Sequence, residues 1–71
     1  MSAFRLKVFY SVAKNLSFTK ASQELFVSQP AITKHIRELE SLYQTRLFNR
    51  LGNTISLTES GNVLLEHCER I

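Results

Sequence analysis

Residues Ser17 to Tyr43, SFTKASQELFVSQPAITKHIRELESLY, read as a short helix, a tight turn and a longer helix whose start is polar and exposed. That is the order of a helix-turn-helix, a shape that lets one helix lie in the major groove of DNA. Ser28 is a good N-cap for the longer helix, because its hydroxyl can accept an otherwise unpaired backbone N–H of the first turn. Gln29 and Pro30 then fill that turn, where the N–H that Pro lacks would have no partner carbonyl.

Advancing about 100 degrees per residue from Gln29 divides the longer helix into two sides. Ala31, Ile32, His35, Ile36, Leu39, Leu42 and Tyr43 fall on one, and Thr33, Lys34, Arg37, Glu38, Glu40 and Ser41 join Gln29 and Pro30 on the other. One side packs and the other is open. On the open side Gln29, Pro30, Thr33, Lys34 and Arg37 supply amide, apolar, hydroxyl and cationic contacts. A Gln amide can bond adenine N6 and N7 together, Pro or the Thr methyl can touch a thymine methyl, and Lys or Arg can reach guanine or phosphate. The helix N-terminus itself favours a nearby phosphate. A capped amphipathic helix with a polar face is common, so this helix alone does not establish base reading; the short helix placed before it strengthens the case.

The chain has 71 residues, which fits one domain near the lower limit at which a single core holds a fold unaided, so burial against a partner would help it. Hydrophobic content of 44% with 21% charged residues is that of a folded domain rather than a disordered basic tail. Nine Lys and Arg against six acids give a formal net charge of +3. The distribution is uneven. Arg5, Lys7, Lys14 and Lys20 all precede the first acid, Glu24, whereas Glu59, Glu66 and Glu69 sit near the C-terminus with only Arg70. The basic end is the one to face a polyanion, although the four early cations alone would also suit an ordinary solvated surface.

Cys68 is the one cysteine, which excludes an intrachain disulfide and a cysteine-cluster zinc site and suits a reducing cytosol; packing is its expected role. The N-terminus has no long apolar run, which argues against a signal peptide or membrane span and for a cytoplasmic protein.

Outside the helix-turn-helix, residues 3 to 15 predict a first helix with Leu6, Val8, Phe9, Tyr10, Val12 and Ala13 inward and Lys7, Ser11 and Lys14 outward. Asn15 and Leu16 end it. Ser17 caps the second helix, which runs through Leu25 with Phe18, Ala21 and Leu25 inward, and Phe26 and Val27 form the turn. Leu47-Phe48-Asn49-Arg50 and Thr54-Ile55-Ser56-Leu57 read as two short strands around Leu51-Gly52-Asn53, a small wing. Gly52 and Asn53 both tolerate positive φ, although an irregular loop would also accommodate them. Thr58 caps a last helix, with Glu59 well placed at its positive end. Gly61, Val63, Leu64, Leu65, His67, Cys68 and Ile71 spread over an apolar arc of roughly 200 degrees, wider than packing on one small body requires, so part of it is expected to meet another helix. This helix reads to the last residue without a C-cap, as if continuing into a longer protein, although an ordinary core helix would also fit.

Phe18-Thr19-Lys20-Ala21, Leu25, Ser28-Gln29-Pro30-Ala31, Ile36-Arg37, Leu39-Glu40, Leu47-Phe48-x-Arg50 and Leu57-Thr58-x-x-Gly61, in this order and spacing, resemble the N-terminal DNA-binding domain of LysR-type transcriptional regulators over essentially the whole chain. The resemblance implies a mainly α winged helix-turn-helix over residues 1–58, with a three-helix core and a β-hairpin wing. It also implies the start of a linker and dimerisation helix over 59–71, pairing antiparallel across a two-fold axis, and a C-terminal effector-binding domain absent from this chain. Positions matching Gln29, Pro30, Thr33 and Lys34 approach base edges in that family, and those matching Ser17, Thr19, Arg37 and Arg50 hold backbone phosphates. Gly52, Asn53 and Thr54 form the wing, and Val63, Leu64, His67, Cys68 and Ile71 belong to the dimer helix.

The partners so implied are double-stranded DNA and a second copy of the chain, with tetramers possible for the full-length protein and a small-molecule effector bound only by the missing domain. No cofactor, metal or membrane is expected. Three departures stand out. The wing tip carries Asn53 and Thr54 where the family usually has a basic residue, which weakens minor-groove reading. Gln44 stands where Gly is common after the recognition helix, and a left-handed Gln costs on the order of 1 kcal/mol. Ser22 replaces a usual Ala.

Two other functions compete. A winged-helix protein-interaction module would want an aromatic anchor where the open face offers Gln29, Thr33, Lys34 and Arg37. An enzyme is disfavoured because the chain has no Asp, its two His fall on different helices and no Gly-rich phosphate loop appears. His35 reads as a half-buried core residue and His67 as a residue of the partner-facing helix.

Overall fold

The computed structural model describes residues 3–70. In chain order the elements are α1 (Ala3–Asn15), α2 (Phe18–Leu25), α3 (Gln29–Tyr43), β1 (Phe48–Leu51), β2 (Thr54–Leu57) and α4 (Glu59–Glu69). This is a mainly helical winged helix-turn-helix. Three of the helix starts are set by hydroxyl caps. Ser17 Oγ accepts from Lys20 N–H at 3.0 Å, Ser28 Oγ from Ala31 N–H at 3.2 Å and Thr58 Oγ1 from Gly61 N–H at 2.9 Å. Each satisfies a donor that the first turn would otherwise leave unpaired.

The core is built by α1, α2 and α3 around Val8, Phe9, Val12, Ala21, Ile32, Ile36 and Leu39, closed below by Leu47 and Phe48. Each such large apolar side chain contributes about 1.5–3 kcal/mol on burial. Phe18, Leu25, Ile55, Leu57, Leu64, Leu65 and Cys68 pack partly buried against it. The wing is an antiparallel pair in which Phe48 faces Leu57, Asn49 faces Ser56, Arg50 faces Ile55 and Leu51 faces Thr54. The first strand thus lies one residue further along than expected, with Leu47 left in the core as the anchor before it. At the turn only Gly52 is left-handed, at φ 60, and Asn53 is not.

The link from α3 to the wing is fixed by polar bonds. Leu47 N–H donates to Glu40 Oε2 at 2.8 Å, Thr58 N–H donates to Leu47 O at 3.0 Å, and the Thr58 hydroxyl donates to Arg46 O at 2.6 Å. Gly61 makes this closure possible: a Cβ there would collide with Leu47 O and approach Leu57 Cδ2 to 2.9 Å.

Several sidedness expectations are corrected. Ser11, placed outward with Lys7 and Lys14, is only 3% exposed. Helix α2 covers it and supplies its partner, Glu24 Oε1 at 3.1 Å, while Asn15 donates to Glu24 Oε2 at 3.2 Å. Tyr10, placed inward, is exposed, with Lys14 Nζ 5.9 Å from its ring centroid. Leu42 and Tyr43 continue the apolar side of α3 but are exposed, at 54% and 42%. Glu40, placed on the open side, turns inward as the acceptor for Leu47 N–H.

Gln44 is left-handed at φ 53, as expected, and its N–H reaches the carbonyls of Glu40 and Ser41. Leu16 and Phe26 close the preceding two helices in the same conformation, at φ 48 and 57. Each of these non-glycine residues carries a cost of about 1–2 kcal/mol. The last helix ends at Glu69 with Arg70 as its C-cap. Ile71, assigned above to the dimer helix, lies outside the described residues.

Candidate nucleic-acid interface

The first turns of α3 project from the core because Ile32, Ile36 and Leu39 are buried behind them. Gln29, Pro30, Lys34 and Arg37 are exposed and Thr33 is half-buried, and the five share one open concave surface with Glu38 and Ser41. The residues that the periodicity grouped as the reading side are therefore together in space.

A second concavity adjoins it, running between the start of α2, the start of α3 and the wing. Ser17, Thr19, Gln29, Thr33, Arg50, Gly52 and Asn53 contribute to its walls. Arg50 is held there by stacking, its Cζ 4.3 Å from the Phe18 ring centroid. Phe18 in turn meets Phe48 edge-on at 6.1 Å, and Phe48 meets Phe9 at 5.5 Å. A chain of rings thus ties a cation on the wing to the buried core, and the face of an aromatic ring favours the guanidinium above it. A third hollow brings Arg37, Arg46 and Arg50 around one opening. The wing tip, Gly52, Asn53 and Thr54, is exposed and carries no charge; Thr54 Oγ1 donates to Leu51 O at 2.9 Å.

Charge pairing sharpens this picture. Arg5 pairs with Glu38 at 3.3 Å, Arg46 with Glu40 at 3.6 Å, Lys14 with Glu69 at 3.3 Å and Arg70 with Glu66 at 3.8 Å. Among the described residues Lys20, Lys34, Arg37 and Arg50 enter no ion pair. The acids nearest the reading side are engaged by other cations, so the positive potential of Lys34, Arg37 and Arg50 is left open to solvent. His35 is half-buried, as expected, edge-on to Phe4 at 5.3 Å, with Nδ1 3.5 Å from Glu38 Oε1 but without a hydrogen bond.

The residues assigned to the last helix divide. Leu64 and Cys68 turn toward the core, whereas Val63, 63% exposed, and His67 face outward. Val63, Leu64 and His67 line a groove with Tyr43, Thr45 and Leu47. Burial pushes the Cys68 thiol above its ordinary value and the Glu69 carboxylate adds to the effect, so the thiol stays protonated. Among the described residues no cluster of His, Cys or acids could hold a metal ion, and no helix is long and apolar enough to cross a membrane.

Sequence reasoning missed three features of this surface. Arg46 joins Arg37 and Arg50, Phe18 serves as a platform for Arg50, and Gln29 Nε2 donates to Thr19 Oγ1 at 2.8 Å. The alternation of the wing strand held a trace of the second, since Phe48 and Arg50 share one face. The other two depend on tertiary approach.

Comparison with known proteins agrees with the geometry. Residues 4–62 match the family of bacterial regulatory helix-turn-helix proteins of the lysR family. A probable RuBisCO transcriptional regulator of Thalassiosira pseudonana is 48% identical over 67 residues, covering 94% of this chain and 22% of that protein. The chain thus spans about a fifth of the length of that relative. Among solved structures, the CbnR DBD–DNA complex superposes with a TM-score of 0.91 at 36% identity, over 99% of this chain and 80% of the other. The BenM DBD/catB site 1 DNA complex superposes with a TM-score of 0.93 at 27% identity, over 99% and 78%. The chain belongs to the LysR family of bacterial transcriptional regulators, of which it forms the helix-turn-helix DNA-binding domain.

Proposed function

We propose that this domain binds operator DNA sequence-specifically as a homodimer, each protomer placing the N-terminal turns of α3 in the major groove of one half-site. Gln29, Pro30, Thr33 and Lys34 read base edges, and Ser17, Thr19, Arg37 and Arg50 hold the phosphates on either side. Arg46 joins the phosphate group through its place beside Arg37 and Arg50. The wing, with Gly52, Asn53 and Thr54 at its tip, rests on the backbone rather than reading the minor groove, since it lacks the cation that a narrow groove attracts.

The observation that carries this reading is the polar, cation-bearing concavity at the start of a helix anchored by Ile32, Ile36 and Leu39, with its cations unpaired. That the CbnR and BenM domains have been solved on DNA supports it. Val63 and His67 are the outward residues of α4 through which a second protomer docks, with Leu64 and Cys68 behind them. Residues 1–58 form the DNA-binding unit and 59–71 begin the linker helix. A C-terminal effector domain beyond this chain senses a small molecule and supports tetramers, and the protein works in the cytoplasm.

Fluorescence anisotropy with a labelled duplex at two salt concentrations tests the reading. Gln29→Ala is expected to cost about 1–3 kcal/mol at one operator position, while Arg50→Ala weakens binding to all sequences and lowers the salt slope by about one. Equal losses for Gln29→Ala on specific and random duplexes would refute base reading.

A further inference from the structure

We propose that Thr19 is a positioning residue for base reading: its hydroxyl fixes the amide of Gln29 and thereby sets which base pair that amide accepts. The inference rests on the reading of α3 as the base-reading helix, and it gives Thr19 a task beyond holding a phosphate.

Gln29 is the first residue of α3, exposed, on a flexible side chain whose amide can point either end toward a base. Its Nε2 donates to Thr19 Oγ1 at 2.8 Å. That bond orients the amide. With Nε2 turned toward α2, Oε1 points the other way, and one N–H remains beside it with no partner among the described residues. The edge left open in this arrangement offers one donor and one acceptor, the pair that adenine N7 and N6 complement. Their order is fixed when the Thr19 proton goes to another acceptor, because the hydroxyl can then only accept from the amide. An amide free to rotate would present the reverse order equally well and would lose rotamer freedom on binding.

Thr19 is itself held in place. It lies in the first turn of α2, whose start is fixed by the Ser17 hydroxyl on Lys20 N–H, and its own carbonyl accepts from Ser22 Oγ at 2.7 Å. The Thr19 hydroxyl accepts from Gln29, so its proton is free to be donated outward, into the concavity it shares with Ser17 and Arg50. One oxygen can thus serve a phosphate and the base-reading amide together. A phosphate that takes the Thr19 proton makes its oxygen a better acceptor for Gln29, so the two contacts strengthen each other.

The test is selection from a randomised double-stranded DNA library by the protein and its variants, followed by sequencing. Thr19→Val keeps the branched shape and removes the hydroxyl. It is expected to lower the preference at the one base pair that Gln29→Ala also relaxes, by roughly tenfold, with little further loss in the double variant. Thr19→Ser is expected to restore the preference. In the free protein, 15N relaxation of the Gln29 side-chain amide should show faster motion in Thr19→Val than in the parent or Thr19→Ser. If Gln29→Ala relaxes one position while Thr19→Val only weakens binding to every sequence alike, Thr19 is a phosphate anchor alone and the proposal is overturned. If Gln29→Ala changes no position, base reading by Gln29 fails, and the positioning role falls with it.

Discussion

The two ends of α3 share one buried middle and have opposite surroundings. At the N-terminal end the exposed residues are Gln29, Pro30, Lys34 and Arg37, polar or cationic apart from one ring, with the cations unpaired. At the C-terminal half the exposed residues include Leu42 and Tyr43, the latter beside Val63 of α4, and the cations Arg5 and Arg46 that reach this half are held by Glu38 and Glu40. One end keeps its charge for solvent or a polyanion; the other neutralises its charge and keeps apolar area uncovered. Since Ile32, Ile36 and Leu39 hold both ends to the same core, one helix can carry a cationic face and an exposed apolar face without either compromising the packing between them.

Gly61 is where the second surface can be broken most severely. A methyl group at this position meets the carbonyl of Leu47, which is backbone fixed by Thr58 N–H and cannot step aside. Overpacking of this kind costs about 1–3 kcal/mol. Gly61→Ala is therefore expected to lower the thermal midpoint by roughly 4–8 °C per kcal/mol lost, measured by circular dichroism. Nearby Thr45→Ala removes a half-buried hydroxyl that donates to Ser60 Oγ at 3.1 Å and lies 3.5 Å from Arg46 O, leaves no overlap with backbone, and should cost less. Equal midpoints for the two variants would show that α4 is not seated as described.

Val63→Glu addresses the same surface without touching the core. Val63 is exposed in the single chain, so the charge costs the protomer little; if a second copy covers it, burying an unpaired carboxylate weakens self-association by on the order of 1–3 kcal/mol. Sedimentation equilibrium should show the dimer dissociating at higher protein concentration, while affinity per half-site, read on a single half-site duplex, stays unchanged. An unaltered dimer would place the interface elsewhere.

The contrast between the ends of α3 was only partly legible in the sequence. Helix limits were, because Ser17, Ser28 and Thr58 are caps whose effect is local, and so was the wing, because Gly52 supplies the turn. The grouping of Gln29, Pro30, Thr33, Lys34 and Arg37 on one open face was also legible, since periodicity sorts residues by angle. What angle cannot report is how far the neighbouring body extends along the axis. Leu42 and Tyr43 flank Leu39 on the apolar side of the helix, yet Leu39 is fully buried and they are 54% and 42% exposed. Ser11 is the reverse case, a hydroxyl on the polar side that α2 covers while offering it Glu24. Glu40 could not be told from Glu38 by pattern, since its partner, the amide of Leu47, is brought to it by the return of the chain. The Thr19 to Gln29 bond, which orders the candidate site, joins two helices and has no signature in either.

Gln44 gives the smallest effect and separates the two ends most cleanly. It closes the C-terminal end of α3 at φ 53, where its Cβ crowds the backbone and glycine would not. Replacing it with Gly relieves about 1–2 kcal/mol of that strain but returns about 0.4–1 kcal/mol to the unfolded chain as backbone freedom, leaving a net gain of roughly 0.5–1 kcal/mol. The N–H bonds to Glu40 and Ser41 belong to the backbone and survive the change. Gln44→Gly is therefore expected to raise the midpoint of urea unfolding at constant slope and to leave DNA affinity as it was, because the reading residues lie at the far end of the helix. A gain in stability accompanied by altered base preference would mean that strain at Gln44 reaches Gln29 through α3, and the two ends would then have to be treated as one coupled element rather than as independent surfaces on a rigid rod.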